Sequence, residues 1–320
     1  MRRQLAALLF ATTMLAGAAC GSDGGSGGAA APGQPDKVTV GVIPILDVAP
    51  IYLGKDKGFF SSRNIELTLT PAQGGAAIVP AVLSGQYQFG FSNVVSLLLA
   101  QSNNVPVKII SNGNNSTGVQ GEDFAALMVK ADSPIQSPAD LEGRTVAANT
   151  LKNIVETSVR ASVRKAGGDP AAVKFTELAF PDQPAALQAG RVDAVFVVEP
   201  FQQAVLAQGG RPIATSYVDA ADDLTVAVYF TSDRQLAENP DLVNRFTEAM
   251  RESLAYADAN PDEARRIIGT YTQISQDVIA KLTLPKWPAE VNRESLQTMA
   301  DLAVQDGLLA KPADMDALFP

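Results

Sequence analysis

One phrase occurs twice in this chain. Pro80–Asn93 reads PAVLSGQYQFGFSN, and Pro184–Pro200 reads PAALQAGRVDAVFVVEP. Each copy predicts a short apolar helix, a glycine stop, and a strand whose far end turns polar. Pro80 answers Pro184, Leu83 answers Leu187, Gly85 answers Gly190, and Asp193 stands where Gln88 stood; the second copy has one extra residue before its glycine. A unit that recurs at a fixed offset constrains the chain to two similarly built bodies. Between two such bodies lies a cleft.

The flanks extend each copy to the same order of elements. Lys37–Ile43, Ile65–Thr70 and Phe89–Phe91 read as β-branched strands, with a helix over Ile51–Phe60 that stops near Gly58 and another that opens at AQGGAA. Arg144–Ala148, Val173–Leu178 and Val192–Val198 repeat the strands, with helices over Asn153–Ala166 and Asp182–Ala189. Asn153 followed by Glu156 reads as a capping box. A βαβαβ unit closes by right-handed crossovers into a parallel sheet, so both bodies are expected to be α/β. Val107–Ser111, Phe124–Val129, Arg211–Ile213 and Leu224–Phe230 supply further strands, and Asn112–Gly118 (NGNNSTG) reads as a polar loop. Beyond Asp233 the pattern is helical, with a start at Asn260-Pro261 and an end at Gly307, and this tail is expected to pack on the first body. The chain would then cross between bodies twice, near residues 118–126 and 214–226.

Ahead of the fold, Arg2 and Arg3 precede an apolar run, Leu5–Ala19, that is short for a bilayer span. It ends at Cys20, the sole cysteine, in LAGAAC, and GSDGGSGGAAAPGQPD follows as a flexible tether. We read 1–19 as a signal peptide, Cys20 as a lipidation site and 20–36 as the tether of a protein held at the outer face of a membrane. Ordinary signal-peptidase cleavage after Ala18, giving a secreted or periplasmic protein, is the alternative.

Composition removes whole classes of chemistry. The sequence has no histidine and one cysteine, so it lacks the Ser-His-Asp triad, imidazole bases, and Cys or His metal clusters. No P-loop, GxSxG elbow or GxGxxG between strand and helix is present. The net charge of −9 argues against nucleic acid. No catalytic residue, metal or cofactor is expected.

The remaining candidates are polar and glycine residues at strand C-terminal ends, where open α/β sheets hold ligands. In the first body these are Asp47, Gly74, Gly75, Ser92 and Asn93; in the second, Asn149, Thr150 and Glu199. Gly74 and Gly75 would turn the chain or offer bare N–H groups at a helix start. Ser92, Asn93, Asn149 and Thr150 serve equally as helix caps. Asp47 and Glu199 are sharper, because an acid at the mouth of a buried strand is costly without a partner. Across the cleft, Ser92–Asn93 is expected to face Glu199. Trp287 reads as a packing residue.

VGVIPILDVAPIYLGKDKGFF, GGAAIVPAVLSGQYQFGFSN, SPADLEGRTVAANT and PAALQAGRVDAVFVVEPF, in this order and spacing, resemble the substrate-binding lipoproteins of ABC importers. Specifically they resemble the nitrate/sulfonate/taurine and pyrimidine-precursor group (SsuA/THI5-like, NMT1-type). The resemblance covers about Lys37 to Phe319. It implies a type II periplasmic-binding-protein fold, with 37–121 plus 217–320 as lobe 1, 122–216 as lobe 2 and two hinge crossings. It further implies a monomer that captures a small solute and delivers it to a membrane permease and its ATPase. Pyrimidine-precursor binders carry tryptophan and histidine after the first strand, and PILDVAP has neither. The related synthase uses histidine and a cysteine cluster, so the resemblance implies a binder and no enzyme. If Asp47 and Glu199 point inward, a bare anion is repelled and a neutral or amino-bearing heterocycle fits better. A membrane-anchored sensor on the same fold, or a carboxylate-dependent hydrolase, are the competing readings.

Overall fold

A computed structural model describes residues 34–320. The signal peptide, Cys20 and most of the tether therefore lie outside the described residues. Ten strands form two five-stranded mixed sheets. The first runs β2 (Ile65–Pro71), β1 (Asp36–Val42), β3 (Phe89–Asn93), β10 (Thr225–Ser232), β4 (Val107–Asn115). The second runs β7 (Lys174–Glu177), β6 (Thr145–Ala148), β8 (Ala194–Val198), β5 (Ala125–Val129), β9 (Arg211–Ala214).

The two orders are the same pattern. In each sheet the three strands of the βαβαβ unit are parallel, as the repeat predicts. The next strand lies antiparallel to them, and it comes from the far side of a crossing. β10, laid down after the chain has built the second sheet, pairs with β3 and β4; β5, the first strand after departure, pairs with β8 and β9. The chain thus passes between sheets after Asn115 and again after Ala214.

Packing follows from the apolar faces. Phe89 stacks on Phe246 of helix Pro240–Ala259, ring centroids 3.9 Å apart, and Phe60 and Tyr229 close round the same ring. That helix also lies on helix Ala49–Asp56, so the tail does cover the first sheet. Helix Arg293–Gln305 goes further and reaches helix Ile154–Lys165 of the second body, where Asp306 pairs with Arg164. No helix among the described residues is long and apolar enough to cross a membrane.

Three local expectations change. The tether does not extend to 36: Asp36 begins β1, and its carboxylate lies 2.6 Å from Arg245 Nη2. The NGNN run is the buried end of β4 and not a loop, because β10 pairs with it through Asn115. Asn153 caps its helix by accepting from Val155 and Glu156 N–H, but Glu156 Oε1 accepts from Lys152 N–H (2.7 Å) in place of the cap residue's own N–H. A reciprocal capping box exists instead at Ser137 and Asp140.

Candidate functional site

The C-terminal ends of β2 and β3 meet the segment after β6: the loop after β2 and the end of β3 both touch it. Gln73 Nε2 donates to Asn149 O (3.0 Å) while Asn149 Nδ2 donates to Gln73 O (3.4 Å). Asn93 does two jobs with one oxygen. Its Oδ1 accepts from Ser96 N–H (2.9 Å), capping its own helix Val94–Ser102, and from Ile154 N–H (3.4 Å) at the start of the opposing helix. Asn153 Nδ2 ties Asn149 Oδ1 and Thr150 Oγ1 together, each at 2.9 Å.

The glycines are explained by close approach. A Cβ on Gly74 would stand 2.7 Å from Thr150 Cγ2, on the other wall of the cleft. A Cβ on Gly75 would stand 1.9 Å from Ser92 Oγ, within its own lobe. Neither glycine has a backbone conformation that excludes other residues, so contact is what selects them. Ser92 is wholly buried and donates to Asn93 O.

Two cavities lie between the sheets. The outer one, about 320 Å³, is walled by Ile43, Pro44 and Gln73 from the first body and by Phe180, Pro181 and Phe201 from the second. The Phe180 and Phe201 rings are nearly parallel, 12° between planes and 6.3 Å between centroids. The inner one, about 20 Å³, has room for about one water molecule. It is lined by Asp47, Phe91 and Asn93 on one side and by Asn149, Phe180 and Tyr217 on the other. Ile43, Ile45 and Phe180 line both, so these residues border mouth and floor alike. Among the described residues that line the two cavities there is no Lys or Arg. A third cavity, about 330 Å³, opens on β4 and helix Pro240–Ala259 beside Arg251 and Arg293; all its walls belong to the first body and its tail.

Asp47 is 2% exposed, in the turn Leu46–Val48. Burial pushes its carboxyl up to about 7; its own backbone N–H and the Asn114 amide pull the other way, and the charge of Asp123 adds to the rise. Trp287, a packing residue as expected, donates from Nε1 to Asp47 O (3.3 Å).

Of the eight candidates, Asp47, Asn93 and Asn149 line the inner cavity. Glu199 does not. Its carboxylate accepts from Gln203 Nε2 (3.0 Å) and from Thr283 N–H (3.3 Å) in the tail, and its carbonyl accepts from Leu46 N–H (3.1 Å). Burial raises this carboxyl to about 7 despite the Gln203 and Thr283 donors. The expectation that Ser92–Asn93 faces Glu199 is corrected: what meets Asn93 across the cleft is the N-terminus of helix Ile154–Lys165, because β8 ends under the tail. Phe180, Phe201 and Tyr217 were not singled out from sequence. Nothing in FPDQP, EPF or TSYVD separates a cleft aromatic from a core one.

The comparisons with known proteins agree with this geometry. A model of the family described as NMT1/THI5 like matches residues 46–264. The riboflavin-binding protein RibY of Chloroflexus aurantiacus is 26% identical over 309 residues, covering 89% of this chain and 85% of that protein. The formylaminopyrimidine-binding protein of Halalkalibacterium halodurans is 24% identical over 225 residues, covering 69% of this chain and 65% of that protein. Among solved structures, the alkanesulfonate-binding protein SsuA of Xanthomonas axonopodis pv. citri, bound to MOPS, superposes with a TM-score of 0.74 at 18% identity, covering 90% of this chain and 99% of that one.

Proposed function

This chain belongs to the NMT1/THI5-like family, and on that premise we propose that it is the extracytoplasmic solute-binding component of an ABC importer. It captures a small organic solute between its two lobes and hands it to a membrane permease with its ATPase. The observation that carries this reading is the cleft itself: each wall comes from a different sheet, and paired amides join the walls at its rim. Two walls that move apart and together let a solute enter wet and be held dry. The absence of histidine from the sequence supports capture over catalysis.

The solute is a flat organic molecule with a polar end, and not a bare oxyanion. Oxyanions are held by guanidinium groups or by open helix N-termini. Here the walls carry no cation, and Asn93 already occupies donors at two helix starts. Parallel Phe180 and Phe201 suit an aromatic face. Lobe 1 comprises 37–121 and the chain after the return crossing, and lobe 2 begins at 122. Helix Ser216–Ala220 goes with lobe 2, since it lies on helix Ile154–Lys165 and Asp219 accepts from Ser162 Oγ. The protein works as a monomer.

Thermal denaturation of the intact protein with riboflavin, formylaminopyrimidine, taurine, MOPS and nitrate tests the reading. A flat organic member should raise the melting temperature progressively with concentration, by about 2.7 kcal/mol of stabilisation at a hundredfold excess over Kd. Unmoved curves throughout would count against solute capture. A response to nitrate or a sulfonate alone would overturn the solute class.

In the same reading a lipid on Cys20 holds the protein at the membrane through the tether. A radioactive fatty acid should label the wild type and not Cys20→Ala; equal labelling removes the anchor.

A further inference from the structure

Next to the residues that line the inner cavity, where Asn114 pairs with Ala227 and Tyr229 with Phe91, lie polar atoms that the protein itself leaves without partners. Among the described residues, Asp47 Oδ1, both amide atoms of Asn114 and the hydroxyl of Tyr229 are buried and make no hydrogen bond. Asn114 is 0% exposed and Tyr229 is 1% exposed. They belong together. The turn carrying Asp47 lies on β4, which carries Asn114; the Asn114 amide stands near enough to favour the Asp47 carboxylate as a donor does, yet outside the distance and angle of a formed hydrogen bond. Tyr229 on β10 is close enough to feel the Asp47 charge, and its ring packs on Phe91, which lines the inner cavity with Asp47. A buried donor or acceptor left unmade costs about 1–3 kcal/mol, so three residues in one place is a costly arrangement to keep for the fold alone.

We propose that Asp47, Asn114 and Tyr229 read the polar edge of the solute, and that this edge carries an N–H donor beside a carbonyl acceptor, as in a lactam, imide or carboxamide. The proposal rests on the solute-binding reading above. Its chemistry follows from the inventory. Once ionised, above about pH 7, the Asp47 carboxylate accepts only, so it asks for an N–H. The Asn114 Nδ2 and the Tyr229 hydroxyl can donate, so they ask for carbonyl oxygens on either side of that N–H. No cation competes for Asp47, since neither cavity wall supplies one. The flat body of the same solute then lies in the outer cavity against Phe180 and Phe201, with Ile43 and Ile45 yielding between the two spaces.

A site built to accept an N–H rejects the analogue that lacks it far more strongly than an apolar pocket rejects an extra methyl. The experiment is titration calorimetry on the full folded domain with riboflavin, uracil and nicotinamide, and with the N-methylated form of whichever binds. Methylation of the N–H should weaken wild-type binding by at least about tenfold. In Asp47→Ala that ratio should collapse towards one, while circular dichroism and melting confirm the fold. Asn114→Ala should weaken the unmethylated probe and leave the methylation ratio in place. An unchanged ratio in Asp47→Ala overturns the assignment while leaving solute capture standing. Failure of every lactam, imide and amide, with a melting response to another organic probe, also overturns this edge but not the binding function. Failure of all probes in both assays removes the function with it.

Discussion

Gly74→Val is expected to leave the protein folded and to cost it at least a hundredfold in solute affinity. The glycine stands at the rim, where a Cβ would come within 2.7 Å of Thr150 Cγ2 and 3.3 Å of Asn149 Nδ2, both across the cleft. Valine adds two further methyls there. The lobes can relieve the clash by standing apart, and doing so breaks the Gln73–Asn149 amide pair. If the closed form drops to about one molecule in a hundred, the apparent Kd rises about a hundredfold, because only the closed form has both walls in place. Small-angle scattering should show a larger radius for the variant that solute does not reduce, with an unaltered circular dichroism spectrum. Wild-type affinity in Gly74→Val would mean that closure does not pass through this contact. Gly75→Val is the control with the opposite signature. Its clash is with Ser92 of the same lobe, 1.9 Å from Oγ and 3.0 Å from Cα, so no lobe motion relieves it. It should lose on the order of 1–3 kcal/mol of folding stability or more.

The second large effect is in pH. Asp47 and Glu199 each have their carboxyl raised to about 7 in the folded protein, from ordinary values of 3.8 and 4.5, chiefly by burial. Between about pH 4.5 and 7 the folded chain therefore holds protons that the unfolded chain has released. Stability falls wherever the folded state binds more protons as pH rises, so these two groups make the protein less stable from pH 5 to pH 7 and constant in their contribution above it. At 1.36 kcal/mol per unit the loss is on the order of 3 kcal/mol for each. The melting temperature of the unliganded protein should drop by roughly 5–10 °C between pH 5 and pH 8. The double variant Asp47→Asn, Glu199→Gln should flatten this slope and melt above the wild type at pH 8, since its neutral groups carry no ionisation cost. Parallel slopes for the two proteins would show that the carboxyls are not held neutral by burial. Protonation below neutral pH would also weaken the hydrogen bond that Glu199 accepts from Thr283 N–H, a link between β8 and the tail, by removing its charge.

What the sequence disclosed and what it withheld divide along a physical line. KVTVGVI announces a strand by its alternating β-branched residues and AVFVV by apolar residues on both faces, and those strands were found. The NGNN end of β4 has no such pattern. Its asparagines are buried by tertiary packing, and one of them, Asn114, is left without a hydrogen-bond partner for its amide. Asp47 could be named because a carboxylate in an apolar run is conspicuous. Its partners could not, since Asn114 and Tyr229 come from strands 67 and 182 residues further along the numbering (114 − 47 and 229 − 47). Glu199 was equally conspicuous and was assigned the wrong neighbour, because only the fold reveals that Thr283 lies over the end of β8. Local pattern identifies a residue in need of a partner; only topology supplies it.

The exchange of β5 and β10 between the sheets also fixes an order of assembly on a chain made from one end. When residues up to Ala214 have emerged, all five strands of the second sheet are present, whereas the first still lacks the strand that joins β3 to β4. Until Thr225–Ser232 arrives, both of those edges stand open. The lobe begun first is completed last, so while more than a hundred further residues are made its early strands keep exposed edges that other chains could pair with. Any cell that makes this protein has to keep that half-built sheet from finding the wrong strand.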